Sequence, residues 1–323
     1  MSNILPWDVI PTPKVDLSVL RVSEIVGVPI YWGRDPNAQC LLIIELNGEH
    51  IAQFRRDNVS LHGIDIDLRN SGSADRQRLI LTLARHIDSD LFFGLCETLI
   101  SSLKIVTDPA VALSVTLAHL KRWKVFLAGN NARLLSPEEV RGLFGELHVL
   151  RTLYNETLPQ TVAVDAWCGP NDSHQDFMFG NRAIEVKSLS CRERNSVCIS
   201  SEDQLESLSD ELFLLIQRII DMPSSEHALS LNDIVTLIKG ELVEPEALEL
   251  FMDKLANVGF VPLAQYDTPC FVVSGVQGYR ITADFPRLIR SKLPQGVTKV
   301  TYDIMLESIE PFLCVQKDIF HGY

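Results

Sequence analysis

The chain of 323 residues lacks any run approaching the roughly 18–20 consecutive apolar residues that a membrane helix requires. Its start, MSNILPWDVIPTPK, has no basic region ahead of an apolar stretch, so no export signal is expected. Both absences predict a soluble, cytoplasmic protein. Paired cysteine motifs are missing too: the seven cysteines are odd in number and scattered among apolar residues, as reduced core thiols are. Cys191 and Cys198 are too far apart for a zinc knuckle, and no second pair answers them. There is no GxxxxGK[ST], GxSxG or HExxH, which excludes phosphate-loop, serine-hydrolase and zincin chemistry by those routes. Net positive charge is lacking as well, with 29 Lys and Arg against 42 Asp and Glu, and a uniformly basic nucleic-acid coat is therefore excluded. The deficit is local: Glu202 to Asp253 holds thirteen acids against Arg218 and Lys239, so the rest of the chain is nearly neutral.

What is present is an ordinary globular composition, 46 % hydrophobic and 22 % charged. Residues 39–45 and 61–68 have strand character, and 78–83 adds a third apolar stretch. Leucines at 91, 95, 99 and 103 and a second pattern over 109–126 predict helices. This describes an α+β domain over residues 1–130. Gly129-Asn130-Asn131 interrupts it, and Ser136-Pro137-Glu138-Glu139 starts a new helix with serine at the N-cap. Three strands are expected next, at 161–167, 175–179 and 182–188, then a fourth at 196–200 leading into a helix start at Ser201. Residues 211–220 suit a buried strand or a short helix, with Pro223 favouring the strand. This α/β core spans 131–220. Beyond it, helices near 231–239 and 245–258 precede strand-like FVVSG and YRITA, giving a C-terminal accessory domain over 221–323 with winged-helix-like order.

The chemistry concentrates in QDFMFGNRAIEVKS, residues 175–188. Strand alternation points Glu185 and Lys187 to one face, and a hairpin turn at Gly180-Asn181 brings Asp176 towards them. Two carboxylates beside an ammonium suit a hard divalent cation completed by substrate phosphate oxygens. A Glu-x-Lys pair is also a common exposed ion pair. Here the three charges sit inside apolar runs, which is costly without a metal or mutual pairing. His148 and His174 are read as structural, and Asp165 and Asp172 are left outside the site.

The order of helix, Asp176 strand and Glu185-Val186-Lys187 strand resembles the PD-(D/E)XK nuclease superfamily, the fold of many restriction endonucleases. With AWCGP at 166–170, SSEDQL at 200–205 and DFPRLIRSKLPQGVTKVTYDI at 284–304, the chain is similar to bacterial PD-(D/E)XK motif proteins of restriction and phage-defence gene clusters. The resemblance implies that Asp176 and Glu185 bind Mg²⁺, for which Mn²⁺ can substitute. It also gives Lys187 the catalytic lysine position, makes Glu146 a further ligand and places Gln204 at the glutamine that follows the core strands. The family's proline is absent, since Gln175 precedes Asp176.

The expected function is that of a metal-dependent DNA endonuclease acting within a restriction or antiviral defence system. The alternatives are a non-catalytic scaffold or DNA-positioning subunit, or an RNA-processing or junction-resolving nuclease. DNA contacts are expected from Lys121, Arg122 and Lys124, and from Arg280, Arg287, Arg290 and Lys292. A solvated helix face explains the first group equally well. The acidic segment 202–253 would dock a basic partner such as an ATPase or methyltransferase-associated protein, or would simply be a solvated face; a homodimer is the other expected assembly.

Overall fold

The computed structural model describes all residues except 1–4, 24, 58, 62, 73–74, 85–88, 129–133, 172, 191–194, 208 and 321–323, together with the side chains of 125–128. The interrupting Gly129-Asn130-Asn131, Asp172 and Cys191 therefore lie outside the described residues. The chain divides into two compact units, residues 1–133 with 261–263, and residues 134–260 with 264–323. No described helix is long and apolar enough to cross a membrane, and none of the described cysteines forms a disulfide.

The first unit is a five-stranded antiparallel sheet with helices. Its strands are β1 (Ser18–Arg21), β2 (Ile30–Arg34), β3 (Cys40–Asn47), β4 (Ile64–Asn70) and β5 (Arg76–Leu83), in the order β1-β2-β3-β5-β4. Helix α1 (Ile51–Asp57) links β3 to β4, and α2 (Ser89–Leu103) and α3 (Pro109–Ala128) follow the sheet. The leucines spaced every four residues on α2 are buried at Leu95, Leu99 and Leu103, as one apolar helical stripe requires.

The second unit opens with α4 (Pro137–Glu156), started by a capping box in which Ser136 Oγ accepts from Glu139 N at 3.2 Å and Glu139 Oε2 accepts from Ser136 N at 2.8 Å. Then come α5 (Gln160–Ala166), β6 (Phe177–Phe179), β7 (Arg182–Leu189), β8 (Ser196–Ile199) and β9 (Glu211–Asp221). Helices α6 (Leu231–Glu241) and α7 (Pro245–Val258) precede β10 (Phe271–Arg280), β11 (Tyr302–Met305), α8 (Leu306–Ile309), β12 (Leu313–Cys314) and α9 (Gln316–Phe320). The main sheet runs β12-β10-β9-β7-β6, and β11 pairs with β8 in a separate two-stranded ribbon. The β7–β9 pair is parallel and its neighbours are antiparallel. β9 is apolar almost throughout because it is buried on both faces.

Three sequence expectations differ from this structure. Residues 161–167, expected as a strand, are largely helical: as α5 they bring Ala163, Val164 and Ala166 together into the core, where alternation would have split them between two faces. Ser201 starts a turn rather than a helix, because the Gln175 amide takes the carbonyls of Asp203, Gln204 and Glu206 that a helix would use. The segment after residue 220 is not winged-helix-like among the described residues. Its helices α6 and α7 pack on α4 and α5, and β10 pairs along nearly the whole of β9, where a wing would stand apart. The expected division at 220/221 thus falls within β9.

One close approach sets the spacing between α4 and β7. Gly145 lies so near β7 that a Cβ there would sit 2.0 Å from Ser188 Oγ, so α4 presses directly on the strand. Gln217 on β9 adds a buried hydrogen bond from its Nε2 to the Gly145 carbonyl, 2.8 Å. The next residue on α4 is Glu146.

Candidate active site

The β6–β7 hairpin turns at Gly180, whose φ of 55° favours glycine. Phe177 pairs with Ile184, and Asp176 N donates to the Ile184 carbonyl at 3.1 Å. Asp176 therefore lies just ahead of β6, opposite Glu185, and its Oδ2 accepts from Val186 N at 2.7 Å. The strand alternation holds: Lys187 Nζ is 2.9 Å from Glu185 Oε1. Lys187 also donates to Gln204 Oε1 at 3.0 Å. Asp176, Glu185, Lys187 and Gln204 are thus brought to one place.

Glu146 joins them from α4. Its Oε2 accepts from Trp167 Nε1 at 2.7 Å, which fixes the carboxylate. Gly169 sits against both acids: a Cβ there would lie 3.0 Å from Glu146 Oε2 and 3.3 Å from Asp176 Oδ1. A glycine is what leaves room for two carboxylates beside the backbone.

The electrostatics are those of acids crowded in a poorly solvated place. Burial pushes Glu146 up from 4.5 to about 8, with the Asp176 charge adding to it and the Trp167 indole and Lys187 opposing it. Burial likewise pushes Asp176 up from 3.8 to about 6, against the Val186 N–H and Lys187. Glu185, only 1 % exposed, is held well above the usual carboxylate range by burial, with Asp176 and Glu146 adding to it and Lys187 opposing. Its Oε2 is buried without a hydrogen-bond partner. Lys187 therefore compensates only part of the negative charge.

Among the described residues no group of three or more His, Cys, Asp and Glu side chains is arranged to hold a metal ion by itself. Magnesium does not need such a cage, since it is commonly bound by one or two carboxylates with waters and substrate oxygens. An orphaned buried Glu185 oxygen and three mutually repelling carboxyls are the donor chemistry a hard cation relieves. The residues present fit a divalent ion held by Asp176 and Glu185, with Glu146 beside them.

Four supporting residues were not legible as such from the chain. Trp167 orients Glu146, and Gly169 makes space. Gln175, 4 % exposed, ties the turn carrying Gln204 to the residue before Asp176. Lys254 on α7 is 3 % exposed and donates to the carbonyls of Asp165 and Trp167 at 2.8 and 2.5 Å, pinning the segment that delivers the indole. Its one sequence signal is a lysine within the apolar stripe of an acidic helix. His148, with its titration lowered chiefly by burial, lies beside Gln217.

The basic residues are placed differently from one another. Lys121 and Lys124 are exposed on α3 in the first unit, Arg122 is partly buried there, and Lys292 is exposed in the second unit. Arg280 pairs with Glu211 and lies 4.9 Å from the Phe213 ring centroid. Arg287 donates to the Leu205 carbonyl. Arg290 makes a two-pronged contact with Asp203 at 2.7 and 2.6 Å. In the acidic segment, Glu241 accepts from Arg151 at 2.6 Å and Tyr154 at 2.5 Å, and Glu244 accepts from Thr161 N at 3.1 Å, so these two acids serve the unit's own packing.

A family model described as "Putative PD-(D/E)XK family member, (DUF4420)" matches residues 4–307. No curated protein matches the chain.

Proposed function

The chain belongs to the PD-(D/E)XK family whose model spans it, and on that footing we propose that it is a metal-dependent endonuclease that hydrolyses phosphodiester bonds in DNA. The observation that carries this proposal is the convergence of Glu146, Asp176, Glu185 and Lys187, one of whose buried carboxylate oxygens has no partner. We place the protein in a bacterial restriction or anti-phage defence system, with Mg²⁺ as the ion and Mn²⁺ as its substitute. A divalent ion bound there would polarise a phosphoryl oxygen and acidify a bound water.

The chain's own groups do the rest. Asp176 and Glu185 would hold the ion, each already steered by one contact, the Val186 N–H and the Lys187 ammonium respectively. Glu146, whose Oε2 is fixed by the Trp167 indole, stands beside them as a further oxygen donor. Lys187 places positive charge where the attacked phosphate gathers negative charge, and Gln204 sets its direction. The buried walls of the site strengthen each of these interactions.

The test is plasmid nicking in Mg²⁺ or Mn²⁺ by the wild type and by Asp176→Ala, Glu185→Ala and Lys187→Ala. Loss of cleavage in each folded variant supports the assignment. Equal cleavage in a folded triple variant refutes it, and a wild type that binds the ion and duplex DNA without cutting would favour the scaffold alternative. Preference for RNA over DNA substrates in the same assay would redirect the substrate class.

A further inference from the structure

Gln204 is the polar partner that joins Lys187 to another part of the fold, and it does not stand on a regular element. It lies in the turn 201–206, where its Oε1 accepts from both Lys187 Nζ at 3.0 Å and Ser200 N at 2.8 Å. A glutamine on an isolated turn would wander between rotamers, and an ammonium positioned by it would wander too. This turn is held from two sides. From beneath, Gln175 Nε2 reaches the carbonyls of Asp203, Gln204 and Glu206 at 3.0, 3.3 and 3.0 Å. From the other side comes the segment 287–300. Arg287 donates to the Leu205 carbonyl, Arg290 grips both oxygens of Asp203, and Ser291 Oγ donates to Glu206 Oε1 at 2.6 Å. Glu202, 1 % exposed, accepts from Val300 N at 2.9 Å and Lys299 N at 3.3 Å and stands 3.3 Å from Arg290. The β8–β11 ribbon ties the end of this segment to the strand that leads into the turn.

We infer that the segment from Arg287 to Val300 is a clamp that fixes the 201–206 turn and, through Gln204, the direction of the Lys187 ammonium. The inference rests on the nuclease reading of Lys187. It assigns Arg287 and Arg290 a positioning role in catalysis in place of the phosphate contacts that their charge alone suggests. An arginine already engaged by two carboxylates has little left to neutralise a phosphate, and its removal would leave Asp203 without its two-pronged partner and Glu202 with its backbone donors alone.

The experiment uses the full-length protein with Arg290→Gln, Asp203→Asn, the double variant and Arg290→Lys. Arg290 is largely exposed, so folding is expected to survive, and thermal unfolding checks it. Three readouts are taken: the ¹⁵N resonance of the Lys187 ammonium, duplex affinity in Ca²⁺ against salt, and cleavage kinetics. The clamp requires the Lys187 signal to shift or broaden in Arg290→Gln and to recover in part in Arg290→Lys. Duplex affinity and its salt slope should stay within experimental error. Cleavage should lose kcat, by up to about 100-fold for a misplaced group, at unchanged KM. The double variant should be no worse than the worse single one, because both break the same contact. An unmoved Lys187 signal with weakened duplex binding and a salt slope reduced by about one unit would make Arg290 a phosphate contact and overturn the clamp. Wild-type failure to cleave would count against the proposed function alone, since the resonance and affinity readouts need no turnover.

Discussion

Replacing Glu146 with glutamine isolates the cost of keeping charge in the site without a metal. The carboxyl is held at about 8 in the folded protein against 4.5 when freely solvated. Because the folded state binds this proton more tightly than the unfolded chain, the stabilisation is complete below the unfolded value and is lost as pH rises to and through about 8. At 1.36 kcal/mol per pH unit the full loss is at most on the order of 5 kcal/mol. Asp176 contributes a separate, earlier fall that ends near its own value of about 6. Glutamine keeps an oxygen for the Trp167 indole and cannot ionise, so Glu146→Gln should reduce the alkaline loss to the part that Glu185 contributes. Urea unfolding in chelator at about pH 5.5, 7 and 8.5 reads this directly. Wild type should weaken steadily across the three, the variant should weaken less because only the buried Glu185 and Asp176 still titrate upward, and added Mn²⁺ should restore the wild type most at the highest pH. A flat wild-type profile, or a variant that falls in parallel with it, would refute the picture of crowded, desolvated carboxyls.

Gly169→Ala should push Glu146 and Asp176 aside by a few tenths of an ångström and weaken Mn²⁺ binding about tenfold in calorimetry, with a thermal midpoint close to wild type. Lys254→Met should cost about 1–3 kcal/mol in denaturant unfolding, because the Asp165 and Trp167 carbonyls lose their buried donor; no measurable cost would show that Lys254 is not a pin. Charge reversal of the exposed Lys121, Lys124 and Lys292 should weaken duplex binding and lower its salt slope by about one per lost phosphate contact, measured by fluorescence anisotropy across a salt series.

The parts of the site that were legible in the sequence are those encoded locally. Serine, proline and two glutamates announced α4, and period-two alternation put Glu185 and Lys187 on one face, where the structure has them 2.9 Å apart. What local pattern could not carry was anything set by distant partners. The Thr161-Val162-Ala163-Val164 run has strand propensity, yet it is helical because Gln160 and Thr161 are tied to residues around 241–244 and the small side chains pack beneath α7. Ser201-Glu202-Asp203 looks like a helix start, but those acids are turned towards Arg290 and the 299–300 backbone, nearly a hundred residues downstream. The same long reach hides Lys254 and Gln175, whose hydrogen bonds span 89 and 28 residues.

The proposed site has Asp176 and Glu185, with Glu146 beside them, holding a divalent ion next to Lys187. Crystals soaked with Mn²⁺ and a short duplex, measured at the manganese edge, test it most directly. An anomalous peak is expected at roughly 2.0–2.3 Å from oxygens of Asp176 and Glu185, completed by waters or a phosphate oxygen. A well-ordered duplex with no peak there, or with manganese bound only elsewhere, would contradict it.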